Sequence, residues 1–200
     1  MSHSARGCFL VSSTAAVVLT ACAVGTPFNR PSEDFVRLGE TTRAQIEQRF
    51  GRPNDEKTFR QDNVAGQLIQ YTYSNDAEPP KMPNSLCIRS LTFALVNEVV
   101  FAEHFVSACA SDHTDFDERK LSTIVRGQTR CGEVVSILGR PSYRAIYPLT
   151  TGKGDLQVAY TFQYMKRPLL QLNMYEKSLQ VVCDANGVVR ELSFSESGDR

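Results

Sequence analysis

The sequence predicts an α+β fold of two tandem units, each with one or two short helices packed on a roughly three-stranded antiparallel sheet. Three observations predict it. The stretch RGQTRCGEVVSILGRP, Arg126 to Pro141, repeats LGETTRAQIEQRFGRP, Leu38 to Pro53, at a constant offset of 88. After each repeat the apolar period changes from helical to two, and each copy ends in a pair of β-rich runs around a turn.

The repeated stretch reads as a short helix with both ends marked. Thr41 and Thr129 stand where an N-cap hydroxyl accepts from an orphan backbone N–H, and Gly51 and Gly139 stand at the left-handed position past the end. Pro53 and Pro141 follow two residues later and forbid continuation. Ile46 and Phe50, like Val134 and Leu138, are four apart and so share one face. Upstream of the second copy, Leu121, Ile124 and Val125 suggest a preceding short helix after Asp117, with SEDFVRL a weaker equivalent in the first copy.

The strands follow. Leu156, Val158, Tyr160, Phe162 and Tyr164 alternate with polar or small residues, as a half-buried strand requires, and Ile69, Tyr71 and Tyr73 match three of them at offset 89. The same offset pairs Val99-Val100 with Val188-Val189 and Phe105 with Phe194 in the closing hairpins. DANG, Asp184 to Gly187, reads as a type I′ turn rather than a calcium loop, since Ser195 stands where an EF-hand needs Glu. Copy one has Glu98 at the position of the turn glycine Gly187.

The expected organisation is a signal segment over 1–21, a flexible tether over 22–33, one repeat over 34–110 and another over 111–200. The chain carries 22 basic and 22 acidic residues, and no basic run interleaves with aromatics, which argues against a nucleic-acid partner.

The N-terminus speaks to location. Cys8 to Ala21 is an apolar run too short for a comfortable membrane span, and it ends in Leu19-Thr20-Ala21-Cys22. That quartet resembles the lipobox of bacterial lipoproteins, which implies a diacylglycerol on the Cys22 thiol, cleavage before it, and an anchor in the periplasmic face of the outer membrane. A plain signal peptide cut nearby is the alternative.

Four cysteines remain beyond Cys8 and Cys22, an even number suited to an oxidising compartment. Cys87 and Cys109 lie equally far from the hairpin turn at position 98 and so oppose each other across an antiparallel pair. Cys131 falls on the apolar face of the second helix and Cys183 on a strand that this helix covers. The expected bridges are therefore Cys87–Cys109 and Cys131–Cys183, though a buried free thiol also fits the second pair.

The capped helix, the YTF strand and the DANGVV hairpin together resemble the BamE (SmpA/OmlA) lipoprotein family. That resemblance implies a helix pair on a three-stranded sheet and an accessory role in outer-membrane β-barrel assembly or envelope integrity. Two copies and the added cysteines depart from the single-copy family pattern. In architecture the tandem also resembles the β-lactamase inhibitor protein, whose sheet grips an enzyme.

Catalysis finds no support in the sequence. Beyond the signal segment only His104 and His113 remain, with no nucleophile motif, metal-ligand set or phosphate loop, so neither enzyme chemistry nor a cofactor is expected. Asp115, Asp117 and Glu118 are explained by the dipole at a helix start. Function then falls to a surface. Between the strands of copy two, Met165, Lys166, Arg167, Leu169, Leu170, Leu172, Met174 and Tyr175 form a candidate docking patch for a barrel-assembly component or lipid headgroups. The expectation is a lipid-anchored, non-catalytic scaffold with protein partners; the alternative is a periplasmic inhibitor or ligand-binding protein.

Overall fold

The computed structural model describes residues 23–61, 63–75, 77–81, 83, 86–166 and 173–198. The signal segment and Cys22 lie outside the described residues. Among the described residues nine strands run in chain order: β1 (Ala23–Val24), β2 (Asp55–Gln61), β3 (Val64–Asn75), β4 (Ile88–Val96), β5 (Val99–Ser107), β6 (Tyr143–Ile146), β7 (Leu156–Lys166), β8 (Asn173–Cys183) and β9 (Val189–Ser197). Helix α1 (Arg43–Phe50) precedes β2 and α2 (Cys131–Leu138) precedes β6, with 3-10 turns at Ala110–Asp112 and Glu118–Thr123.

These strands form one antiparallel sheet in the order β1-β3-β4-β5-β6-β7-β8-β9, with β2 also paired to β3. This overturns the expectation of two tandem units with separate three-stranded sheets. The cause is Tyr143–Ile146, a short strand between α2 and β7. On one side β6 pairs with β5, Glu103 opposite Arg144, and on the other with β7, Tyr143 opposite Ala159. The edge strand of the first half therefore meets the first strand of the second, and no exposed edge separates them.

The sequence repeat survives as matching contacts inside that single sheet. Ile46 and Val134 are both fully buried, as are Val100 and Val189. The Tyr71 hydroxyl donates to the Gly51 carbonyl at 3.0 Å, and the Tyr160 hydroxyl to the Gly139 carbonyl at 3.0 Å. The N–H groups of Gly39 and Gly127 donate to the carbonyls of Val100 and Val189, each at 2.8 Å. Phe105 and Phe194 part company: the first is buried in the middle of the sheet, the second 38% exposed on edge strand β9.

Helix starts differ by one residue from expectation. Thr42 and Arg130 are the N-caps, and the backbone N–H of each donates to the side chain three residues on, Gln45 or Glu133. Thr41 and Thr129 are buried, and each hydroxyl accepts from the N–H four residues before it, Arg37 or Val125, at 2.8 Å. They staple the preceding turn instead of capping the helix.

The closing turns also exchange roles. Asn97 and Glu98 both have left-handed φ, 50° and 63°, in a two-residue loop between Val96 and Val99, the type I′ geometry expected of DANG. At the second turn only Gly187 is left-handed, and the Asp184 carboxylate accepts from the N–H groups of Asn186 and Val188.

Both helices lie on the same face of the sheet. Beneath α1 sits a core of Val36, Ile46, Ile69, Leu91, Phe93 and Phe105, and beneath α2 one of Phe116, Val134, Val158, Tyr160 and Leu179. Cys87 is bridged to Cys109 with their Cα atoms 4.4 Å apart, and Cys131 to Cys183 at 6.1 Å. The second bridge ties α2 to β8; the residue equivalent to Cys131 in the first half is Arg43, which joins α1 to the sheet by polar contacts to Gln67 and Glu56.

Candidate functional site: the uncovered face of the sheet

Side chains alternate across a strand, so residues between the core positions point to the other face. Strand register lines these up in rows. Gln70, Thr92, His104, Tyr143, Ala159 and Gln180 are successive partners across β3 to β8. Beside them runs a second row, Leu68, Ala94, Ala102, Ala145, Gln157 and Val182. Neither row contains a charged residue. Ala94, Ala102, Ala145 and Ala159 in these rows are buried, Gln180 is exposed and the rest are half-buried, and a charge-free stretch about 24 Å wide, five strand spacings, matches the composition of an interface centre.

A hollow of about 380 Å³ opens in this face. Its floor is small because Ala94 and Ala102 are cross-strand partners, and Phe59, Leu68, Tyr143 and Leu149 surround them. No helical residue among those described joins this cluster. Gln61, Thr92, His104 and the Tyr143 hydroxyl are the polar groups of the lining, and the His104 ring meets Tyr143 edge to face at 5.7 Å. Burial, and then the nearby Arg30 guanidinium, hold the His104 imidazole below its usual range, so it presents a neutral ring to the hollow. The hollow is suited to a neutral or apolar side chain.

On the helix-covered face, at the joint, lies a buried ionic cluster. Glu103 is 2% exposed and receives Arg144 at 2.5 Å and Arg140 at 3.7 Å. Arg30 donates to the Pro141 carbonyl and stacks over Phe105, and burial together with Arg140 pulls its pKa down to about 10. Arg140 also pairs with Glu33 at 3.3 Å, and Arg144 donates to the Val36 carbonyl at 3.1 Å. Removing the Glu103 carboxylate would leave Arg144 without its anion and Arg140 with Glu33 alone, a loss of the order of 3–5 kcal/mol. The cluster fastens residues 30–36 to the joint.

The expected site residues are scattered. Arg167, Leu169, Leu170 and Leu172 lie outside the described residues, as does Cys22. The backbones of Met165 and Lys166 end β7, opposite Met174 and Asn173. Met174 is 54% exposed, but Tyr175 is 1% exposed, packed on Phe162 and hydrogen-bonded to Glu196 at 2.7 Å. Tyr175 is a core residue and leaves the docking patch, because its position in the alternation faces the helices. His113 is exposed at the end of a 3-10 turn, whereas His104 is half-buried on β5. Asp115 and Glu118 hold buried Lys177, at 2.7 and 2.6 Å, rather than serving only a helix dipole.

The charge-free rows are written in the polar and small positions of each strand, not in the apolar ones that mark it as a strand. The signal was present in Gln157, Ala159 and Thr161, a solvent side without Lys or Glu.

No protein-family model matches the chain, so membership of the BamE family finds no support, and no curated protein matches it. Among solved structures, a "putative beta-lactamase inhibitor protein" from Streptococcus mutans is similar at 13% identity and a TM-score of 0.45, covering 78% of this chain and 82% of that one.

Proposed function

We propose that the protein is a non-catalytic binding module of the bacterial envelope, held by lipid at Cys22, which grips a protein partner with the uncovered face of its sheet. The observation that carries this reading is the pair of uncharged rows across β3 to β8, with the hollow at Ala94 and Ala102 to receive a partner side chain. Tyr, Thr, Gln and small residues supply contact area and adaptable hydrogen bonds at low entropic cost. The lipobox-like Leu19-Thr20-Ala21-Cys22 and the two disulfides support a location outside the cytoplasm.

A photo-crosslinking residue placed at Thr92, Gln157 or Gln180 tests the face directly in intact cells. The same residue at Gln48 and Ser136, exposed on the two helices, is the comparison. Discrete adducts from the sheet positions and none from the helices are expected; adducts from the helices alone would refute the reading. The adduct's identity separates an envelope assembly component from a secreted enzyme held by an inhibitor.

A further inference from the structure

We propose that the lipid anchor is mounted without a spacer, so the protein meets the bilayer in one pose, with the rim at the end of β3 and the start of β4 against the lipid headgroups. The proposal rests on the anchor reading above and adds what that reading lacks, an orientation.

The segment expected to be a tether is docked along its length. Ala23 and Val24 pair with Asn75 and Ser74 on β3. A Cβ on Gly25 would run into the Thr72 carbonyl oxygen, so glycine is what lets the chain lie this close. Phe28 then stacks edge to face on Phe50 at 6.1 Å, Pro31 is buried, and Glu33 pairs with Arg140. Two residues of extended chain reach about 7 Å at most, so Val24 lies within that distance of the acylated cysteine.

Register then identifies the rim. Val24 opposes Ser74, and Ser74 opposes Ile88, an apolar side chain 40% exposed. Ala77 and Pro79, exposed in the following connection, belong to the same end. By register the β7–β8 end, with Met174 54% exposed, lies at this same end of the sheet, and Lys81 of the β3–β4 connection sits 5.4 Å over the Phe162 ring of β7. With β3 rising from the membrane, the uncovered face at β3 and β4 looks along the bilayer and stays open to a partner.

The chain contains no tryptophan, so a single introduced one reports its own surroundings. The full chain is expressed in an exporting Gram-negative host, its N-terminus read by mass spectrometry, and the protein reconstituted in phosphatidylcholine vesicles with brominated acyl chains. Ile88→Trp, or Ala77→Trp should the first fail to fold, is expected to lose most of its emission, while Val125→Trp, exposed beside the opposite end of the sheet, keeps its own. A ten-residue Gly/Ser spacer after Cys22, spanning roughly 17 Å, should restore the Ile88→Trp emission, and Gly25→Val should do so in part. An unmodified Cys22 overturns the anchor reading and the pose with it. An acylated Cys22 with equal quenching at all positions, or none, overturns the pose alone.

Discussion

The Tyr160 hydroxyl donates to the Gly139 carbonyl at 3.0 Å, closing the end of α2 onto β7, and Tyr71 does the same for Gly51 and α1 at 3.0 Å. Both tyrosines are nearly fully buried, and both glycines carry left-handed φ, 79° and 86°. Tyr71→Phe and Tyr160→Phe should each lower stability by about 1 kcal/mol, the worth of one hydrogen bond. The two sites share no partners, so the double variant should lose the sum to within about 0.5 kcal/mol. Guanidinium denaturation reads all three; an unchanged midpoint for either single variant would show that its hydroxyl contributes nothing.

Glu98 occupies a left-handed position at φ 63° without the freedom of glycine. Its compensation is weak, since it meets Arg43 only at 4.0 Å and is 62% exposed, and surface pairs of that kind add little. Glu98→Gly should therefore raise stability, by up to about 1 kcal/mol, seen as a higher denaturation midpoint. A lower midpoint would mean that the Arg43 contact outweighs the backbone strain.

The two disulfides close loops of different length, 22 residues for Cys87–Cys109 and 52 for Cys131–Cys183. Chain entropy assigns them about 3.4 and about 4.1 kcal/mol. Replacing Cys131 and Cys183 together by Ala should thus cost more than replacing Cys87 and Cys109. The reverse order, in denaturation of the two double variants, would show that native-state contacts at the β4–β5 end dominate over loop entropy.

Lys81 is coupled to pH. Burial outweighs the favourable charges of Asp112 and Asp115 and lowers its pKa to about 8 from 10.5, while its ammonium donates to the Ser107 carbonyl at 3.0 Å and to the Thr114 hydroxyl. Between those two values the unfolded chain holds a proton that the folded protein has released, so this group makes stability rise with pH. Below about pH 8 both states are protonated and the contribution is flat. Lys81→Met should remove the rise, measured as the difference in unfolding free energy between pH 8 and pH 10. An identical pH profile in the variant would show that Lys81 titrates normally.

Much of the helix and strand content was legible because it was written twice. Ile46 and Val134, Tyr71 and Tyr160, and Gly51 and Gly139 could be paired by offset alone, and their contacts match. What the repeat hid was the joint. Tyr143 to Ile146 is only four residues long, shows no clean alternation, and becomes a strand because β5 offers it an edge. That is a tertiary decision which local pattern does not record. The uncovered face was hidden for a related reason: its rows exist only once register places Thr92, His104 and Tyr143 side by side.

The continuous sheet is the premise of the uncovered face, and its joint is the place to test it. Nuclear Overhauser contacts between backbone protons of residues 102–104 and 143–145 read the β5–β6 pairing directly. Cross-strand contacts with Ala102 opposite Ala145 and His104 opposite Tyr143 are predicted. Their absence, with β5 and β6 each exchanging amide protons as free edges, would divide the sheet and remove the surface on which the proposed function depends.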